Sequence, residues 1–154
     1  MNAIAITLHL LAAVIWVGGM FFAYLALRPA LVSHALLARA HVWAAVLKRF
    51  FPWVWICVLV ILATGFYLVF HAFGGFGNLP LFVNLMMGLG ILMMLLFAHV
   101  FFAPYRRLRH SVEVNDEGVA GKAMKQIRVM MLINLILGLL VILVATSGVF
   151  WFYD

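Results

Sequence analysis

Four stretches of the chain stay apolar for twenty residues or more, near 3–27, 51–73, 80–103 and 129–153, and the polar residues gather between them. A hydrocarbon core about 30 Å thick takes roughly 20 helical residues to cross. Only a helix or a closed barrel satisfies its own backbone polar groups there. The pattern predicts an all-α, integral membrane four-helix bundle in a single domain, 1–154. The first run has no basic leader region, outruns the apolar core of a secretory signal and lacks a small-residue cleavage site, so it reads as a span.

The connections follow from the same pattern. "LVSHALLARAHVWAAVLKRF" (31–50) has a helical apolar stripe with basic residues opposite, and predicts an extension of the second helix or a helix lying on the membrane surface. Pro52 is expected to kink or restart that helix. "SVEVNDEGVAGK" (111–122) predicts a short solvated turn and "GGFGNLP" (74–80) a tight loop.

Charge then orients the bundle. Arg28, Arg39, Lys48 and Arg49 follow the first span, Arg106, Arg107, Arg109, Lys122, Lys125 and Arg128 follow the third, and these are all ten basic residues. Under the positive-inside rule both termini are expected to be periplasmic, in a bacterial inner membrane. Trp53, Trp55 and Tyr105 would anchor the basic boundary, Trp151 and Tyr153 the other. A chain 69% hydrophobic and 9% charged is no ordinary soluble domain. Its net charge of +6 therefore speaks of topology and a lipid bilayer with anionic headgroups, and no nucleic-acid partner is expected. Cys57 is alone, so no intrachain disulfide forms.

The candidate chemistry is carried by histidines. His9 lies inside the first span, in "TLHLLAAVIWVGGMFF" (7–22), and an ionisable side chain at membrane depth marks a functional site by default. Helix rise puts it about 9 Å below the outer end, with His71 and Asn84 entering from that side, whereas His99 lies about 28 Å along the third helix. Two layers are expected: His9, His71 and Asn84 outside, and His99, Asn134 and His41 inside, about 20 Å apart and unable to share one metal. Trp16, seven residues after His9, falls on the same stripe and packs in the bundle or against a planar ligand. Asn134, Gly138, Ala145 and Gly148 share a small-residue face, Gly88 and Gly90 do similar service, and Gly19 with Ala23 has the spacing of a homodimer contact. The adjacent methionine pairs point in different directions and read as lipid-facing filler, and His34 and His110 as surface residues.

No Asp, Glu, Lys or Arg lies deep in a span, which argues against carboxylate-based proton coupling. Neither a Cys–Cys spacing, a Ser/His/Asp set nor a nucleotide motif is present. Neutral imidazoles projecting into a helical bundle suit a haem. The reading is a b-type haem protein with a redox partner, a haem-dependent oxidoreductase or electron carrier, with His9 as principal axial ligand, His71 as the second, and His99 at an inner site. The rival is a copper-binding permease using His9, His71 and Met20 or Met86. A third reading is an accessory subunit in which His9 bridges helices.

The stretches "LHLLAAVIWVGG" (8–19), "LATGFYLVF" (62–70) and "LFVNLMMGLGILMMLLFAH" (81–99) resemble the copper resistance protein D (CopD-like) membrane domain. The four-helix layout is also similar to the HemJ-type protoporphyrinogen oxidases. The first resemblance implies copper handling across the inner membrane. The second implies haem b on His9, but the lysine typical of the third helix is here Asn84, which removes a cation for a porphyrin propionate.

Overall fold

Each apolar run forms a helix, and two of the helices run well past the membrane. The computed structural model describes residues 1–151, apart from the side chains of 78 and 149–151. The anchors expected at Trp151 and Tyr153 fall outside the described side chains. Helix α1 (Asn2–Phe22) is prolonged by a π-helical turn, Ala23–Leu27, and a last α turn, Arg28–Ala30. In a regular helix the Pro29 ring would strike the carbonyl of Leu25; the wider turn, closed by the Arg28 N–H on the Ala23 carbonyl, covers that position.

Helix α2 (Leu36–Ala72) has 37 residues, about 55 Å, so its first turns stand clear of a 30 Å hydrocarbon layer. The basic segment 36–50 therefore extends the second span. The helix is continuous through Pro52, and the expected restart does not occur. Gly74 and Gly75, at φ +72° and +107°, turn the chain into the 3₁₀ turn Phe76–Asn78. Helix α3 (Leu81–Phe102) ends at Ala103, and Pro104 starts α4 (Pro104–Glu113) at a position where its missing N–H costs nothing.

Helix α5 (Glu117–Trp151) starts twelve residues before the expected span, so most of "SVEVNDEGVAGK" is helical and the turn is only 114–116. Its cap is local chemistry: the Asp116 carboxylate accepts the Val119 N–H at 3.0 Å. Buried Ala120, Ala123, Ile127 and Met131 form the helical stripe that continues it.

The helices pair as two antiparallel hairpins, α1 with α2 and α3 with α5, joined chiefly through α5, while α4 packs on α5 and α2 at the end carrying the basic residues. No strand occurs among the described residues, and four helices are long and apolar enough to cross a membrane. The core is concentrated toward that basic end: α3 buries nothing before Met93. An aromatic cluster fills it, with Phe51 edge-on to Phe97 (5.3 Å between centroids) and Tyr105 (4.8 Å), and Trp55 edge-on to Phe97 (5.1 Å). Such pairs contribute about 0.5–1.5 kcal/mol each beyond area burial.

Small residues set the helix spacing. A Cβ on Gly138 would sit 2.8 Å from Val17 of α1, one on Gly148 would overlap Phe82 of α3, and one on Gly19 would overlap Phe50 of α2. Gly19 thus packs against Phe50, and Ala23 is buried within the chain. A Cβ added to Gly88 or Gly90 would meet nothing within 4 Å, so the close approach expected at them is not made among the described residues.

Candidate functional site

His9 and Thr64 join the first two spans. The half-buried imidazole Nδ1 lies 2.8 Å from Thr64 Oγ1, which in turn lies 2.6 Å from the Val60 carbonyl. A hydroxyl has one proton, and the carbonyl can only accept. Thr64 therefore donates to Val60 and accepts from His9, which fixes the Nδ1–H tautomer and leaves the Nε2 lone pair free. This is how a ligating histidine is oriented by its neighbours. Thr64 carried no signal in the sequence beyond its place in an apolar run.

The other members of the expected outer layer do not join His9. His71 is exposed, stacks on Tyr67 at 4.2 Å and bonds its own helix at the Tyr67 carbonyl. It stands seven residues beyond Thr64, about 10 Å along α2. Asn84 is exposed and donates to the Leu79 carbonyl at the start of α3. The inner layer also fails to assemble. His99 is exposed beside Gln126 (3.4 Å), His41 is exposed and bonded to its own helix at Leu37, and Asn134 is buried.

What the fold does assemble lies behind Trp16. That indole is buried, edge-on to Phe97 at 6.0 Å, so it packs in the bundle. Beneath it is a cavity of about 30 Å³ lined by Met20, Met130, Met131 and Asn134 among apolar neighbours. The Asn134 Oδ1 is wholly buried and has no hydrogen-bond partner. An orphaned buried amide is expensive, about 1–3 kcal/mol, and uncommon. Met20, Met93 and Met131 are buried, which corrects the reading of the methionines as lipid-facing: flexible thioethers fill the irregular gaps of this core. Met20 was a sequence-level copper candidate; Met130 and Met131 were not. The signal for Met131 is the α5 stripe Ile127–Met131–Asn134–Gly138, spaced four, three and four; Met130 lies off it.

Two expected ligand sets are not formed. Met20 is eleven residues from His9 on one helix, about 16 Å, and His71 is exposed and bonded to its own helix, so His9, His71 and Met20 do not meet; Met86 lies in the outer half of α3, two residues after Asn84. The residues do not fit the haem either. His9 is tied to Thr64 and His71 to its own helix about 10 Å further along α2, and the cavity at Trp16 is far below the roughly 300–1,000 Å³ of a large-ligand pocket. Among the described residues no group of three or more His, Cys, Asp or Glu side chains could hold a metal.

The family model for copper resistance protein D matches residues 44–147, about two thirds of the chain. The chain belongs to the copper resistance protein D family. No curated protein and no solved structure matches it. As a copper resistance protein D family member it is an integral membrane protein, and the family's link is to copper, the rival of the haem reading. The match covers the spans that supply Thr64, Met130, Met131 and Asn134, while His9, Trp16 and Met20 precede it.

Proposed function

We propose that this chain handles copper in a bacterial inner membrane, with both termini periplasmic, by holding Cu(I) in the cavity bounded by Met20, Met130, Met131 and Asn134. The observation that carries the reading is that Asn134, whose buried amide oxygen has no hydrogen-bond partner, lines one cavity together with three methionines. Thioethers are soft, uncharged donors that suit Cu(I) and need no deprotonation. The spans contain no carboxylate to balance a divalent ion, whereas a monovalent cation needs less compensation, and the Asn134 oxygen presents it the negative end of a dipole. A volume of 30 Å³ holds one water-sized body, room enough for a single ion.

His9 serves as a second station. It shares the α1 stripe with Trp16 and Met20, at spacings of seven and four. Its free Nε2 is a ligand at a different depth. Copper entering from the His9 end would meet the imidazole first and the thioethers about 16 Å further in.

Anaerobic titration of the detergent-purified protein with Cu(I), in competition with a chromophoric chelator, tests the reading. The wild type retains stoichiometric Cu(I), and the combined variant Met20→Leu, Met130→Leu, Met131→Leu loses it while keeping its unfolding transition. Equal retention by a folded triple variant would refute the cavity as the copper site. A second reading, an accessory subunit in which His9 only clamps α1 to α2, is favoured by the His9–Thr64 bond. It predicts that His9→Ala lowers stability and leaves copper untouched.

A further inference from the structure

Across Ile127 from that cavity, at the basic end, a second one of about 230 Å³ opens where the end of α1, the start of α2, α4 and the start of α5 meet. Arg28, Arg39, Lys125 and Arg128 line it. Its apolar wall includes Trp43 and Leu108, both buried. The acidic residues among those described, Glu113, Asp116 and Glu117, lie in or directly beside the α4–α5 turn, and none lines the cavity. Among the described residues no ion pair joins any of the four cations to a carboxylate; Arg28 instead lies over the Tyr24 ring at 5.0 Å. Three of the four are partly buried. Like charges brought together from three segments and left without counter-charges repel one another, unless an anion sits among them.

We propose that this cavity binds the phosphate-bearing headgroup of an anionic phospholipid. Guanidinium groups match phosphate oxygens with paired N–H donors, and basic pockets between helices at the membrane face are where such headgroups dock. The position supports a lipid source over a soluble one. Leu31, Val32 and Leu36 give the cavity an apolar wall beside its cations, suited to the glycerol and first acyl carbons below a headgroup. The bound lipid joins the extramembrane ends of both hairpins.

Native mass spectrometry of the detergent-purified full chain tests this, with phosphatidylglycerol, cardiolipin and phosphatidylcholine supplied in turn and inorganic phosphate in a separate arm. The wild type keeps the anionic lipids through delipidation and sheds phosphatidylcholine. Arg28→Gln with Arg128→Gln weakens anionic-lipid retention roughly tenfold or more. Arg28→Lys with Arg128→Lys restores part of it, and Arg106→Gln with Arg107→Gln, on the exposed face of α4, leaves it unchanged. The four partly or fully exposed cations have no carboxylate partner among the described residues, so the variants keep the unfolding transition that each is checked for. Equal retention by the Arg28/Arg128 glutamine variant, or of phosphatidylcholine by the wild type, overturns the proposal. Retention of inorganic phosphate in place of lipid overturns the lipid source and marks a soluble-phosphate site.

Discussion

Replacing Asn134 by leucine separates a functional from a structural asparagine, because two effects of opposite sign follow from one atom. Leucine has nearly the same shape, and the cavity beside the side chain leaves room for it. Removing a buried oxygen that has no partner relieves a desolvation penalty of about 1–3 kcal/mol. The copper-free variant should therefore be more stable than the wild type by that amount, read from reversible unfolding in mixed micelles. With copper the sign reverses. A partial charge of about half an electron at roughly 4 Å from a monovalent ion, at an effective dielectric of about 20, contributes on the order of 2 kcal/mol. Cu(I) affinity, measured by chelator competition, should fall about 30-fold. A stabilised scaffold with a weakened ligand site is the usual signature of a residue kept for function. The reasoning is refuted if Asn134→Leu destabilises the copper-free protein or leaves Cu(I) affinity where it was.

Other outcomes follow from the same coordinates. Thr64→Val removes the acceptor that fixes the His9 tautomer; it should lower stability by about 0.6–1.7 kcal/mol and weaken copper at His9 by roughly 10–100-fold, with unaltered affinity refuting the station at Nε2. Gly138→Ala should separate α1 from α5 and cost about 1–3 kcal/mol, because β-branched Val17 cannot move aside, whereas Gly88→Ala, in open space, should be neutral in the same unfolding assay. Gly19→Leu should unfold the single chain through its clash with Phe50; a folded variant with altered self-association would restore the dimer contact. Reporter fusions should place both termini in the periplasm, and a cytoplasmic C-terminus would reverse the proposed direction of entry.

The spans were legible because membrane insertion depends on apolar length alone, which a sequence displays directly. The extent of α2 and α5 was less so. Residues 36–50 and 117–128 are helical outside the apolar runs, and they are held by a stripe of Ala40, Trp43 and Leu47 packed with Ala120, Ala123 and Leu108. That stripe is visible in the sequence, but the spacing of basic residues hides it among polar neighbours. His9 stood out because histidine is costly in lipid. Its partner did not, since a threonine that back-bonds to its own helix is unremarkable until a second helix arrives. Depth arithmetic brought His71 toward His9 and His99 toward Asn134, yet facing around each helix decides contact, and facing depends on which hairpin packs against which. The methionines illustrate the same limit: Met130 and Met131 diverge by about 100° on one helix and still reach one cavity, because flexible thioethers bend toward it from neighbouring positions.

X-ray absorption at the copper edge of the Cu(I)-loaded protein tests the central claim most directly, since it reads the donor atoms themselves. A cavity bounded by Met20, Met130 and Met131 predicts a first shell dominated by sulfur, lost when those three residues are leucine and retained in His9→Ala. A shell of nitrogen and oxygen alone, or a sulfur shell that survives the triple substitution, would contradict it.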